Sequence, residues 1–197
     1  PPAISSRRGG LDAGGGEVWR IDPGFEVTLG DRRIAGPWHF AALATGSGNH
    51  AGKVWIAFKH HTWAPGLVLE VDARGQWSMR YVQAGWVVGL AQWTSPAGDF
   101  LVAGGVSNQH AKASVAVIDL GVAPAQGPPE ADVTMACDAC PSGRPRAFFL
   151  FPSNEINEAH RAAYSFATPT LATPDALKIT LEQSTVAFIT PSLRPSS

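Results

Sequence analysis

Only two of the 197 residues are cysteine, and charged residues make up a sparse 16%. A single cysteine pair excludes a disulfide-rich small fold, and it excludes a four-thiolate zinc site, which needs two such pairs. The formal net charge is −1, which leaves no broad electrostatic footprint for nucleic acid or an anionic membrane. No apolar run approaches the roughly 18–20 residues that a membrane-crossing helix needs. No basic segment followed by an apolar core marks a signal peptide. The GxSxG nucleophile elbow and the NxS/T acceptor are both missing. The segment Gly46–Lys53 imitates a phosphate loop and fails. Gly46 precedes Gly52 by six positions rather than five, and Val54 stands where a magnesium-binding Ser or Thr belongs.

What remains is apolar and rich in turn formers. Apolar residues are 45% of the chain, enough to bury a core, and the length fits one domain. Glycine (21) and proline (16) together are 37 of 197 residues, about 19% and below the roughly 25–30% of low-complexity chains. The bias to 11 Arg over 4 Lys, with abundant Ala, Gly and Pro, reads as a GC-rich bacterial genome. Cytoplasm and periplasm stay equally open. Pro1 is no initiator methionine, so the sequence reads as a processed form or a piece of a longer chain.

An internal repeat organises the chain. Residues Gly52–Asp72 (GKVWIAFKHHTWAPGLVLEVD) and Gly98–Asp119 (GDFLVAGGVSNQHAKASVAVID) share a glycine, an apolar strand, a His-bearing loop, a second strand and a closing Asp. The glycines are 46 residues apart and the aspartates 47. Upstream, GPWHFAALA (36–44) aligns with AGWVVGLAQ (84–92), which sets Trp86 48 residues after Trp38. EVWRID (17–22) supplies a third closing strand. Val54–Phe58 and Leu101–Ala103 are continuously apolar, as strands buried on both faces should be. Asp-Pro-Gly, Ala-Arg-Gly and Ser-Pro-Ala-Gly-Asp links between strands carry turn chemistry.

Short strands in a repeat of 40–50 residues resemble a bacterial β-propeller. The segments HHTWAPGLVLEVDARG (60–75), DFLVAGG (99–105) and SVAVIDLG (114–121) carry the resemblance, which spans residues 17–121. Neither the Trp-Asp repeat signature nor a kelch Gly-Gly in every blade is present, so no named enzyme family is reached. The resemblance implies an all-β propeller, or part of one, of about four blades. One blade is expected over 40–82, with strands near 40–45, 53–58, 67–72 and 77–82. The next is expected from Val87 to about Met135. Residues 17–29 read as the third and fourth strands of a first blade, which strands near 177–181 and 185–189 would complete. Residues 1–16 read as flexible, 17–190 as the propeller-like domain and 191–197 as a tail. A short helix is expected over 153–163, capped by Ser153 with Glu155 and Glu158 in its first turn.

Candidate functional residues follow from that layout. Loops leading into first strands and loops joining second to third strands emerge at the same end of a blade. His39, His60, His61 and His110 therefore share one face. Imidazoles there suit metal ligation or general-base work, and His60, His61 and His110 are the candidate metal ligands. Trp38, Trp63 and Trp86 fall on the same face and suit sugar or peptide contacts, although rings between blades also serve as packing. Cys137 and Cys140 form one CxxC, open to a local disulfide, a free thiol pair, zinc with two His, or redox work. Asp22, Asp72 and Asp119 fall at the other end and read as turn residues that accept backbone hydrogen bonds.

Three functions are compatible with these residues. The preferred one is a platform binding a protein, peptide or glycan through Trp38, His39, His60, His61, Trp63, Trp86 and His110, with no cofactor. The second is a metal-dependent hydrolase or lyase using the His cluster and a divalent metal. The third is a structural repeat module of a larger protein. Nucleic acid is not an expected partner.

Overall fold

The computed structural model describes residues 8–11, 16–21, 24, 26–29, 31–60, 65–108, 110–127, 135–136, 140–151, 166–181, 186–193 and 195–196. Among these the regular structure is strand, apart from one 3-10 turn at Gly48–His50. The protein is all-β. No helix among the described residues is long and apolar enough to cross a membrane.

Strands β1 (Arg8–Leu11) and β2 (Glu17–Ile21) form an antiparallel pair. Strands β3 (Val27–Leu29) and β4 (Arg32–Ile34) form a second small sheet. Sheet I is an antiparallel meander of β5 (His39–Thr45), β6 (Val54–Lys59), β7 (Gly66–Val71) and β8 (Trp77–Gln83). Sheet II begins the same way, with β9 (Val87–Ser95), β10 (Gly98–Ser107) and β11 (Lys112–Asp119). The chain then returns to place β12 (Ala125–Gln126) parallel to β8 and β13 (Met135–Ala136) against β3. Only afterwards does β14 (Ala147–Leu150) complete sheet II beside β11. Sheet III is the meander β15 (Ala167–Thr173), β16 (Ala176–Leu181), β17 (Val186–Ile189) and β18 (Pro195–Ser196).

Sheets I and II share a pairing register at an offset of 47 residues. Leu43 pairs with Ile56 and Val54 with Val71. Adding 47 to each number gives Leu90 with Ala103 and Leu101 with Ile118, and both pairs are present. Even the irregularity is repeated. Ala41 is the extra residue of a bulge in β5, and Val88, 47 positions later, is the extra residue of a bulge in β9. Bulges re-aim a strand at a fixed place, so the two units bend alike. A shift of 47 sets Trp86 against His39 and Gly85 against Trp38. The tryptophans, aligned at 48 from sequence, are therefore one position out of equivalence.

Alternate residues of each strand enter different cores, which explains the continuous apolar runs. Ile56, Phe58, Leu67 and Leu69 face a core shared with Ile21, Val27 and Trp38. Trp55, Ala57, Val68 and Tyr81, on the opposite face of sheet I, pack with Leu101, Ala103, Ala116 and Ile118 of sheet II. Phe100, Val102, Val115 and Val117 then pack with Leu177, Ile179 and Ile189 of sheet III. Sheets I, II and III stack face to face in chain order. Each fully buried large side chain contributes about 1.5–3 kcal/mol relative to exposure.

Several expectations need correction. The fourth strand of sheet II is Ala147–Leu150 and not a segment near Met135, because β11 offers its edge to the strongly apolar AFFL. Residues 177–181 and 186–189 pair with each other inside sheet III, not with residues 17–29. Strands β2 and β3 lie in separate sheets. Arg8–Leu11, inside the stretch read as flexible, is a strand paired with β2. Pro195–Ser196, inside the expected tail, pairs with β17. The helix expected over 153–163 lies outside the described residues.

Candidate functional site

The starts of β5, β9 and β15 lie at one end of the stack, called here the top. At this end β5 starts with His39, opposite Lys59 at the end of β6. Sheet II contributes Trp86, just before β9, and His110, in the turn between β10 and β11. Sheet III contributes Phe166, just before β15.

His60 is 6% exposed and Trp38 2%. Their rings meet edge to face, with centroids 5.4 Å apart and planes at 70°. His60 Nε2 lies 3.0 Å from the carbonyl oxygen of Ala35. A carbonyl only accepts, so this bond requires the proton on Nε2 and leaves that nitrogen no lone pair for a metal. Trp38 and His60 thus meet as a buried pair against the first core. His39 and His110 are half-buried. Ala111, next to His110, sits at φ 48, in the left-handed region that few non-glycine residues adopt. His61 and Trp63 lie outside the described residues. No three His, Cys, Asp or Glu side chains converge as metal ligands among the described residues.

Trp86 is the predicted residue with the most revealing surroundings. Lys59 Nζ stands 4.4 Å from the centroid of its ring. Phe166 stacks on it with centroids 6.1 Å apart and planes at 10°. Each of the three large sheets therefore supplies one member of a cation–aromatic–aromatic cluster. Such contacts are worth about 0.5–1.5 kcal/mol each in partly exposed settings, enough to fix orientation.

The cluster rests on a rigid floor. Gln83 Nε2 donates to the Trp86 and Val106 carbonyls, each at 3.1 Å. Tyr81 donates its hydroxyl to Gln83 Oε1 at 3.0 Å, and burial pushes the Tyr81 phenol far up, so it stays protonated. The amides of Val106 and Asn108 donate to the carbonyls of Trp86 and Ala84, both at 3.0 Å. A Cβ on Gly105 would collide with the Trp86 carbonyl, and one on Gly85 with that of Val106. Close approach of backbone to backbone is what these glycines permit.

The bottom end holds sheets together by polar contacts. Asp72 Oδ1 accepts from the amides of Arg74 and Gln76, and Asp119 Oδ1 from that of Gly121, all at 2.8 Å. These two aspartates are the turn residues that their sequence positions suggested; Asp22 lies outside the described residues. Asp99 accepts from Thr94 Oγ1 at 2.7 Å and faces His50 Nε2 at 3.5 Å. Glu70 meets Lys53 Nζ at 2.6 Å and Trp55 Nε1 at 3.0 Å. Burial opposes ionisation of Glu70, but the hydrogen bonds from Lys53 and Trp55 and the charges of Lys53 and Arg80 outweigh it and hold its pKa below the usual carboxylate value. Arg80 is buried, which lowers its pKa despite the charges of Glu70 and Asp119. Its guanidinium donates to the carbonyls of Val122 and Asp119, tying sheet I to the strap that leaves sheet II.

Cys140 is disulfide-bonded; Cys137, the other cysteine of the chain, lies outside the described residues. Sequence reasoning missed Lys59 and Phe166. Lys59 is the one charged residue of β6 and adjoins His60, a signal that could have found it. Phe166 had no such signal, since it lies 80 positions from Trp86 (166 less 86) in a stretch without repeat register. Comparison with protein-family models, with curated proteins and with solved structures finds no match for this chain.

Proposed function

We propose that the protein is a propeller-like scaffold, whole or partial, and that its top end is a binding platform built around Trp86. The carrying observation is the cluster of Lys59, Trp86 and Phe166, drawn from three separate sheets. Rigid, half-buried aromatics offer large contact area at small entropic cost. The propeller reading is supported by four-stranded meanders packed face to face, by adjoining first strands, and by the 47-residue register repeat with its bulge. The face is narrower than the sequence suggested, because Trp38 and His60 serve the core.

Screening the chain against arrays of glycans and peptides tests this reading. The expected result is at least one ligand whose binding falls about tenfold or more in Trp86→Ala and in Phe166→Ala, with the unfolding midpoint moved by only a few degrees. A blank array, or binding indifferent to both substitutions, would overturn it.

A further inference from the structure

The detour that the chain takes between β11 and β14 is lightly held. Arg80 fixes its start by donating to the carbonyls of Asp119 and Val122. Beyond that point its strand pairings among the described residues are short. Ala125 and Gln126 pair with Tyr81 and Val82 of β8. Met135 and Ala136 pair with Leu29 and Thr28 of β3. Gly143 makes a single bridge back to Ala125. Ladders this short are marginal by themselves in water, so the seat of the detour on β3 depends on a further anchor.

Cys140 supplies that anchor. Its side chain is half-buried and packs against the first core, which holds Ile21, Val27 and Trp38. It is also disulfide-bonded, and the one other cysteine of the chain is Cys137, the residue that follows β13. The bond therefore joins the end of β13 to the residue seated on the core, and the two weak anchors hold or leave together. The ring it closes has four residues, Cys137 to Cys140. A cross-link restricts the unfolded chain less the shorter its loop, so this one adds little to the stability of the whole fold and acts on the detour itself.

We propose that the Cys137–Cys140 disulfide is a reversible redox latch that holds the detour on β3. A dithiol reductant supplies two electrons and two protons; the S–S bond breaks to two thiols, and the reductant closes to its own disulfide. Met135 and Ala136 then come off β3, and the side of the first core beneath Cys140 is uncovered. The pairing of β9, β10 and β11, and that within sheet III, does not involve the detour and persists.

The test is hydrogen exchange, read by mass spectrometry on the full chain before and after treatment with dithiothreitol. After reduction, peptides carrying Thr28, Leu29, Met135 and Ala136 should exchange about tenfold faster. Peptides from β10, β11 and β16 should exchange as before, and reoxidation should restore the first pattern. Unchanged exchange at β3 and β13 would overturn the proposal. Protection lost throughout the chain would overturn it as well, because the bond would then be a staple of the whole fold. A disulfide that dithiothreitol leaves intact in the folded protein, shown by an unaltered mass after thiol alkylation, would do the same. The double variant Cys137→Ser with Cys140→Ser should exchange like the reduced chain with or without the reductant. A response of that variant to dithiothreitol would place the effect outside the disulfide and overturn the proposal. Should the variant not fold, the reduced and reoxidised forms of the unaltered chain decide the question alone.

Discussion

Gln83 of β8 and Val106 of β10 are joined across sheets I and II by a hydrogen bond of 3.1 Å from the Gln83 amide to the Val106 carbonyl. The same side chain also holds Trp86 and Tyr81, so it ties three residues together beneath the platform. Its removal takes a partner from the buried Tyr81 hydroxyl and from the Val106 carbonyl, while the Trp86 carbonyl keeps the Val106 amide. Gln83→Ala should cost about 2–3 kcal/mol, read as a fall in unfolding midpoint of roughly 5–10 °C for a chain of this size. Gln83→Glu keeps the shape but loses the donor to both carbonyls, and it should be at least as harmful.

His60→Ala should behave as a core substitution. It removes the ring that packs on Trp38 and the bond to Ala35, at a cost of about 2 kcal/mol. Any ligand found for the Trp86 cluster should bind the folded variant as before. A loss of binding greater than tenfold with unchanged stability would instead return His60 to the site.

How far the sequence spoke can be judged from such residues. The strands of sheet I were legible because VWIAF and LVLEV are apolar runs bounded by turn signals, and the 47-residue shift fixed β10 and β11. The fate of Trp38 was not legible. A shift of 47 rather than 48 depends on the bulges at Ala41 and Val88, and a bulge leaves no mark in composition. Strand β14 was assigned to another unit because the chain visits β8 and β3 before returning, a detour that pairing partners decide and local propensity does not.

Two glycine substitutions should separate packing from conformation. Gly52 has φ +84 with open space where a Cβ would point, so Gly52→Ala bears only backbone strain of about 1 kcal/mol. Gly85 has φ +131 and its Cβ would strike the Val106 carbonyl. Gly85→Ala should cost more than about 3 kcal/mol or abolish soluble expression. Comparable denaturant midpoints for the two would mean that the seam between sheets I and II yields more than its backbone contacts imply.

Glu70 gives a pH signature at the other end. Its folded pKa lies below the usual carboxylate value, so folding favours the ionised form. The stabilisation it contributes is complete above about pH 4.5 and is lost as the pH falls through the lower folded value. Glu70→Gln should therefore be less stable than the unaltered chain at pH 7, by about 1–2 kcal/mol through the lost Lys53 and Trp55 contacts. The gap should narrow steadily as the pH falls below about 4.5. Denaturant titrations of both proteins at pH 7, 5, 4 and 3 would measure it. A gap that stays constant to pH 3 would show that Glu70 is held by shape alone. A gap that widens on acidification would reverse the sign argued here.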